Sequence, residues 1–314
     1  MIINPLVTVI IPTYNRRRWI GECLDSIKAQ TYKEIETLVI DDCSSDGTAE
    51  WLCSDSRYGF AQVHVQPVNQ GASETRNVGI HMAHGEFIVF IDSDDLLAPD
   101  HVERAVEVFK SNSDVGLFCC DSTIIGTEGE ILYSGRTWHQ IQSELKQYPV
   151  RTGVRGLQDI FIFSNIFPGF TLPKAVFEKV GYFDQSVFPM DDYDLMLRVA
   201  GSGYSVYYCH EALALRREHS GQCSGQTNSV ETCRKQLVTL HASLKRNPEL
   251  KAAGREIRKR LAHAKLELAI SRFNSGDVFG SLRDLSGAIT MHPAQVIQVA
   301  RLGGRRFQRL VTSV

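Results

Sequence analysis

Short apolar segments alternate with helical segments through the first 120 residues, and this alternation constrains the fold more than any other feature. Strands are predicted over residues 7–11, 34–40, 63–65, 87–91 and 115–121. Helices are predicted between them, over residues 19–30, 48–52, 73–83 and 99–111, from apolar residues at helical spacing. Strands separated by helices of about 10–15 residues are typical of a parallel sheet with helices on its faces. We therefore predict an α/β fold built on a mainly parallel sheet.

Composition excludes several classes of protein. Hydrophobic residues make up 43% of the chain and charged residues 22%, which excludes a disordered chain. The longest apolar run, residues 87–91, is far shorter than the ~20 residues of a membrane span, and no signal peptide is evident. The eight cysteines are scattered without a C-x-x-C pair, so we expect reduced thiols and a cytoplasmic protein.

Charge is distributed unevenly along the chain. Residues 231–314 contain 16 Lys and Arg against 6 Asp and Glu, whereas residues 1–230 carry a net charge of −12. From Val230 onward the pattern is mostly helical, with a turn at Gly276 and a break at Pro293. We expect an α/β domain over residues 1–229 and a basic helical C-terminal extension over 230–314.

Polar clusters follow three of the predicted strands directly. They are Pro12, Thr13 and Tyr14 after the first strand, Asp41–Asp42 after the second, and Asp92–Asp95 after the fourth. Ligands bind at the carboxyl ends of the strands in sheets of this kind. Neither a G-x-G-x-x-G nor a P-loop motif occurs, which disfavours a dinucleotide oxidoreductase and a Walker-type NTPase.

Asp92, Asp94 and Asp95 form the densest acidic cluster. Carboxylates crowded at one strand end repel one another unless a cation neutralises them. Oxygen ligands suit Mg²⁺ or Mn²⁺, so the cluster predicts a divalent metal site. The competing interpretation is a capping cluster before the next helix, a role that Asp95 alone could fill.

Three further positions have a chemical and a structural interpretation each. Asp42 can accept a hydrogen bond from a nucleobase or form an Asx-turn. Arg76 can donate to a base or diphosphate, or lie solvated on its helix. Asp191 and Asp192 can hold one carboxyl at a pKa fit for proton abstraction, or only stabilise an acidic helix N-terminus.

Five segments occur in an order that resembles the family 2 glycosyltransferases, inverting enzymes with the GT-A nucleotide-sugar fold. They are VTVIIPTYNR, LVIDDCSSDGT, NQGASETRNVGI, GEFIVFIDSDD and GYFDQSVFPMDDYDLMLRV. The resemblance covers roughly residues 5–221. It implies a nucleotide-sugar-binding half over residues 1–121 and an acceptor half with the catalytic base over 122–229.

The resemblance also assigns roles on the donor side. Pro12, Thr13 and Tyr14 would line the nucleobase pocket, Asp42 would bind the base, and Arg76 would reach the base or the diphosphate. Asp92 and Asp94 would contact the ribose and the metal, with Asp94 or Asp95 as the direct metal ligand.

On the acceptor side, the resemblance implies that Asp192 is the general base. Asp191 stands where the family usually has Glu, and this shorter side chain leaves its helper role open. His219 matches a position where some members supply a further metal ligand, although a lone His is often structural. The neighbouring Arg216 and Arg217 would either contact the diphosphate or close a loop.

We therefore expect a metal-dependent inverting glycosyltransferase. It would use Mn²⁺ or Mg²⁺ and move a sugar from a nucleoside-diphosphate donor, expected to be UDP-linked, to a hydroxyl of a saccharide or lipid-linked saccharide acceptor. The expected role is synthesis of cell-surface polysaccharide or glycoconjugate, with no nucleic-acid partner. The alternatives are a non-catalytic nucleotide-sugar-binding scaffold and a sugar nucleotidyltransferase. The second of these needs a glycine-rich basic loop, and Arg16–Arg17–Arg18 lacks glycine.

The end of the chain predicts contact with an anionic membrane. Arg301, Arg305, Arg306 and Arg309 flank Leu302, Phe307 and Leu310. This mixture suits an amphipathic helix on the inner face of a membrane, although Gly303–Gly304 would interrupt it. The alternative is a basic face that packs on the acidic body of the protein.

Overall fold

The computed structural model describes residues 4–133, 137, 152–155, 168–222, 230–246, 248, 250, 254–294 and 296–297. Its strands are β1 (Val7–Thr13), β2 (Ile35–Asp41), β3 (Ala61–Val65), β4 (Phe87–Phe90), β5 (Leu96–Leu97), β6 (Val115–Ile125), β7 (Gly153–Arg155), β8 (Phe170–Pro173) and β9 (Ser205–Arg217). Its helices are α1 (Ile20–Lys28), α2 (Thr48–Ser54), α3 (Ala72–Met82), α4 (His101–Ser111), α5 (Ala175–Val180), α6 (Asp191–Gly201), α7 (Val230–Arg246), α8 (Gly254–Asn274) and α9 (Val278–Met291). Short 3₁₀ turns lie at Ser56–Tyr58 and Gln185–Val187.

One sheet runs through the α/β part of the molecule in the order β3-β2-β1-β4-β8-β6-β9-β5, with β7 beside β9. The first four strands of this order are parallel, and Val7 of β1 lies opposite both Ile35 of β2 and Phe87 of β4. Their carboxyl ends therefore meet at one edge of the sheet. The predicted α/β fold and its parallel half are confirmed, with strand ends within a few residues of those expected.

The second half of the sheet has a pairing that the sequence pattern did not predict. β8 lies antiparallel between β4 and β6, and β9 runs parallel to β6 but antiparallel to β5 and β7. β9 is 13 residues long and reads SVYYCHEALALRR, in which charged residues interrupt the apolar pattern. Its stability depends on β6, whose paired residues lie about ninety positions earlier in the chain.

Alternate side chains of each strand enter two different core layers. Ile10 and Ile40 face the side covered by α3, α5 and α6, whereas Val9 and Val39 face the side covered by α1, α2 and α4. Strands buried on both faces explain the nearly continuous apolar runs of β1, β2 and β4. The polar residues that follow these strands are thereby brought to one edge.

The C-terminal helices α7, α8 and α9 confirm the helical pattern predicted after Val230. Leu240, Leu250, Ile257 and Leu261 belong to the same buried cluster as Tyr193 of α6. The helical extension thus shares a core with the second half of the α/β domain. The four arginines of the predicted membrane helix lie outside the described residues.

Membrane-spanning helices and disulfide bonds can be assessed for the described residues only. None of the described helices has the length and apolar character needed to cross a bilayer. No disulfide bond is formed among the described cysteines.

Candidate active site

The acidic cluster lies on the loop after β4, at the edge where the parallel strands end. One oxygen from each of Asp92, Asp94 and Asp95 lies within 4.8 Å of the others. Asp92 is exposed, while Asp94 and Asp95 are buried. Burial and the neighbouring charges of Asp94 and Asp92 raise the pKa of Asp95 well above its ordinary value. Three crowded carboxylates form a hard oxygen site that fits Mn²⁺ or Mg²⁺.

One oxygen of Asp94 is contacted by nitrogen atoms of two side chains from other loops. Arg16 Nε lies 3.2 Å and His219 Nε2 lies 2.9 Å from Asp94 Oδ2. The His219 ring packs on Trp19 at 4.3 Å between centroids, and its Nδ1 accepts the N–H of Gly221 at 3.1 Å. Loops that follow β1, β4 and β9 therefore meet at a single carboxylate oxygen.

These contacts bear on the predicted metal role of His219. A neutral imidazole has one N–H, so an accepting Nδ1 leaves the proton on Nε2, which then donates to Asp94. A histidine that ligates a metal through Nε2 needs its proton on Nδ1 instead. His219 is thus arranged as a donor to Asp94, and its role as a metal ligand stays a prediction.

Asp42 lies at the carboxyl end of β2, where a base-binding residue was predicted. Its carboxylate accepts hydrogen bonds from Gln66 Nε2 at 2.8 Å, from the N–H of Gln70 at 2.7 Å and from the N–H of Gly71 at 2.8 Å. Its own N–H donates to the carbonyl of Thr13 at 2.8 Å. Asp42 therefore shapes the loop 66–71 around the strand ends, and its contact with a base stays a prediction.

The other predicted base-pocket residues surround this point. Thr13 is buried and Tyr14 is 46% exposed beside the half-buried Pro12. Thr13 lies opposite Asp41 on β2, and the buried Thr13 Oγ1 and Asp41 Oδ2 have no hydrogen-bond partner in the described part of the chain. The predicted pocket residues are thus gathered in one place, with two buried polar atoms among them.

Arg76 connects the two halves of the site. Its Nη2 lies 2.8 Å from Asp92 and its Nη1 lies 3.2 Å from Asp191. Burial opposes the charge of Arg76, but the neighbouring carboxylates of Asp92 and Asp191 raise its pKa. Ser73, on the same helix α3, donates to Asp191 Oδ2 at 2.7 Å. The sequence reasoning missed Ser73, whose only signal was its position one turn before Arg76.

Asp191 and Asp192 occupy the first turn of α6, as predicted for this helix start. Asp191 is buried and its Oδ2 is bound by Ser73 and Arg76, whereas Asp192 is partly exposed. Burial and the charge of Asp191 raise the pKa of Asp192 to about 7. Of the two carboxyls, Asp192 is therefore the one poised to exchange a proton near neutral pH.

Arg217, for which two roles were weighed, closes a loop. The side chain is fully buried and donates to the carbonyls of Asp94, Gly126 and Thr127, and to Glu22 Oε2 at 2.7 Å. Its N–H donates to Asp95 Oδ1 at 2.8 Å. Since its guanidinium is committed to these acceptors, Arg217 holds the acidic loop in place and does not face a diphosphate.

The sequence matches one protein-family model and is similar to several bacterial proteins. The model of glycosyl transferase family 2 matches residues 8–175. An uncharacterized glycosyltransferase of Rickettsia typhi is 31% identical over 229 residues, which are 70% of this chain and 66% of the relative. One from Haemophilus influenzae is 25% identical over 231 residues, 72% of this chain and 73% of the relative. The chain thus spans about two thirds of the length of the Rickettsia relative.

Two solved structures share the fold. S. aureus TarS, residues 1–349 in complex with UDP-GlcNAc, has a TM-score of 0.63 and 20% identity, covering 95% of this chain and 82% of that one. The mannosyltransferase PcManGT of Pyrobaculum calidifontis, in complex with GDP-Man and Mn²⁺, has a TM-score of 0.62 and 18% identity, covering 99% and 87%. The predicted GT-A fold is confirmed by this likeness. Since the family model covers more than half of the sequence, this chain belongs to glycosyl transferase family 2.

Proposed function

We propose that the protein is an inverting glycosyltransferase that moves a sugar from a nucleoside-diphosphate donor to an acceptor hydroxyl. One observation carries the proposal. Asp192 lies partly exposed at the N-terminus of α6, and Arg76 connects its neighbour Asp191 to Asp92 of the acidic cluster. One network of charged side chains thereby connects a proton acceptor to a site for a metal-bound diphosphate.

The chemistry follows from the placement of these groups. Asp192 takes the proton of the acceptor hydroxyl as its oxygen forms a bond to the anomeric carbon of the donor sugar. The bond from that carbon to the diphosphate oxygen breaks, and the nucleoside diphosphate leaves. Attack from the side opposite the leaving group inverts the anomeric configuration.

Asp92, Asp94 and Asp95 would hold a divalent ion, which when bound supplies neutralisation of the leaving diphosphate. Arg76, whose pKa is raised, keeps a positive charge beside the same place. The residues of this chain thus provide both ligands and a fixed cation to stabilise the negative charge that the nucleoside diphosphate gains as it leaves.

The substrates are proposed from the sequence and from what the neighbours bind. TarS was solved with UDP-GlcNAc and PcManGT with GDP-Man and Mn²⁺, which supports a nucleotide-sugar donor and Mn²⁺ or Mg²⁺. A UDP-linked donor, a saccharide or lipid-linked saccharide acceptor and a role in cell-surface polysaccharide synthesis stay predictions. So does a reaction in the cytoplasm, on the inner face of the membrane.

The test begins with a thermal-shift screen of nucleotide sugars in the presence of Mn²⁺, which selects the donor. Transfer is then measured for the wild type and for Asp192→Asn. Removing a general base lowers the rate by about 10²–10⁴-fold, and donor affinity should stay near that of the wild type. Asp277→Asn, at the N-terminus of the remote helix α9, is the matched control and should transfer normally.

The two alternative functions predict different products. A nucleotide-sugar-binding scaffold would bind the donor without releasing nucleoside diphosphate in any acceptor screen. A nucleotidyltransferase would form the donor from a sugar phosphate and release pyrophosphate. If Asp191→Asn produced the large loss and Asp192→Asn were mild, the base would be the other member of the pair.

A further inference from the structure

The first helix of the C-terminal extension, α7, contacts the segment that carries the acid pair. Ser243 Oγ donates to Asp194 Oδ1, and both side chains are fully buried. Arg246 Nη1 lies 2.7 Å from Asp184 Oδ2. Thr239 Oγ1, also buried, lies 3.5 Å from the carbonyl oxygen of Val187. Three successive turns of α7 therefore hold the chain just before and just after Asp192.

Asp194 is the centre of this contact. It lies two residues after Asp192 in the first turn of α6, and its second oxygen accepts from Arg198 Nε at 2.8 Å. Arg198 in turn donates to the carbonyls of Gly181 at 3.1 Å and Tyr182 at 2.8 Å. Ser243 supplies the donor for the remaining oxygen of a buried carboxylate, which would otherwise carry a large desolvation cost.

Apolar packing supports the same arrangement. Leu240 of α7 and Ile257 and Leu261 of α8 lie in one buried cluster with Met190 and Tyr193, which flank the acid pair in sequence. Because protein interiors are close-packed, a shift of α7 would be transmitted to α6 through these side chains.

We propose that α7 is a positioning element for the acid pair, and that Ser243 and Arg246 are positioning residues for sugar transfer. This rests on the proposed function, in which Asp192 takes a proton from the acceptor. A general base must lie within hydrogen-bond reach of that proton, and a misplacement of about 1 Å can lower the rate about 10²-fold. The basic extension is thus part of the catalytic unit.

The first test compares two buried serines of the C-terminal helices in the full chain. Ser243→Ala removes the donor to Asp194, and Ser281→Ala removes a fully buried hydroxyl that donates to the Ala269 carbonyl at 2.7 Å, between α8 and α9. Both variants should melt at a lower temperature. Only Ser243→Ala should lower kcat, by about 10- to 100-fold, with donor KM within about twofold of the wild type.

The second test uses an exposed contact, so that folding is not at risk. Arg246 and Asp184 are 41% and 28% exposed, and Arg246→Ala should lower kcat about three- to tenfold while donor KM is kept. Arg104→Ala breaks a comparable surface pair with Glu211, between α4 and β9, and should leave kcat unchanged. Arg246→Lys, which keeps the charge, should recover part of the loss.

Two results would overturn the inference. One is a kcat for Ser243→Ala and Arg246→Ala equal to that of Ser281→Ala and Arg104→Ala. The other is a parallel loss of donor affinity and kcat, which indicates general loosening of the site. Neither result would touch the proposed function, which fails separately if neither Asp191→Asn nor Asp192→Asn lowers the rate of sugar transfer.

Discussion

At the scale of single residues, the two adjacent carboxyls of α6 show how environment separates chemical roles. Asp191 is bound by a hydroxyl and a guanidinium from α3. Within the part of the chain that the structure describes, Asp192 accepts only the N–H of Tyr193, at 2.6 Å, and burial and the neighbouring Asp191 raise its pKa to about 7. Two acids with the same side chain are thus separated into one carboxylate held by α3 and one poised as a proton acceptor.

This difference predicts the pH dependence of the reaction. A base acts only when deprotonated, and the pKa of Asp192 is raised to about 7, so activity should rise as the pH increases through 7 and then level off. Below the midpoint, kcat/KM should fall about tenfold per pH unit. The measurement is kcat/KM for the donor between pH 5 and 9, and the residual activity of Asp192→Asn should lack this dependence. A midpoint near pH 4 would contradict the assignment.

Gly71 is the second residue whose substitution should have a specific effect on the site. Its φ of +88° and ψ of 163° belong to a region that essentially only glycine adopts, and a Cβ there would lie 2.4 Å from Gln185 Nε2. Gly71→Ala should therefore displace the N–H that holds Asp42 and raise donor KM by about tenfold. Gly276 has a φ of +87° with nothing within 4 Å of the corresponding position. Gly276→Ala should lower the melting temperature without changing donor KM.

At the scale of elements, the loop after β4 concentrates three carboxylates, of which Asp94 pairs with Arg16 and Asp92 pairs with Arg76. Asp95 is buried beside Asp94 and Asp92, and its pKa is raised by burial and by those two charges. In the absence of donor, Mn²⁺ should therefore raise the free energy of unfolding. The increase should be about 2.7 kcal/mol when the Mn²⁺ concentration is a hundred times its Kd. Asp94→Asn should abolish that thermal shift, while Asp100→Asn, at the N-terminus of α4, should keep it. Transfer should stop in excess EDTA and return with Mn²⁺; full activity in EDTA would contradict a metal role.

Elements formed by local pattern were predicted from the sequence, and elements that depend on distant partners were not. The strands β1, β2 and β4 and the helix α6 have continuous apolar or amphipathic patterns, so their residues carry the signal themselves. β9 mixes Glu211 and His210 with apolar residues and is a strand because it pairs with β6 and β7.

Site residues that are close in sequence were likewise predicted, and site contacts between distant residues were not. Asp92, Asp94 and Asp95 were found because their spacing in sequence is also their spacing in space. The contact of Ser73 with Asp191 joins residues 118 positions apart, and nothing in either local pattern indicates it. In the sequence, Arg217 is simply a basic residue near the end of a predicted segment. The fold shows that carbonyl oxygens and Glu22 surround its guanidinium.

At the scale of the whole molecule, the charge asymmetry has two predicted explanations, packing of the basic extension on the acidic body and contact with an anionic membrane. Part of the basic extension packs on the acidic body, since Arg246 of α7 pairs with Asp184 beside the site. Among the described residues, Arg234, Lys235, Arg255 and Arg258 are exposed on α7 and α8.

The strongest candidate for that contact is the end of the chain, where four arginines alternate with apolar residues. Each Lys or Arg near an anionic bilayer contributes about 1 kcal/mol, so the protein should co-sediment with anionic vesicles, less so as salt rises, and not with neutral ones. Deleting residues 295–314, or replacing Arg301, Arg305, Arg306 and Arg309 with Gln, should abolish binding.

The matched control replaces the four exposed basic residues of α7 and α8, Arg234, Lys235, Arg255 and Arg258, with Gln. It removes the same charge from the helical extension but leaves the apolar side chains near residue 307 and their arginines in place. Because insertion of apolar side chains adds to the electrostatic attraction, this variant should retain most of the binding. Equal loss in both variants would mean that net charge alone attracts the protein, and a wild type that stays in the supernatant at low salt would exclude a membrane role for the end of the chain.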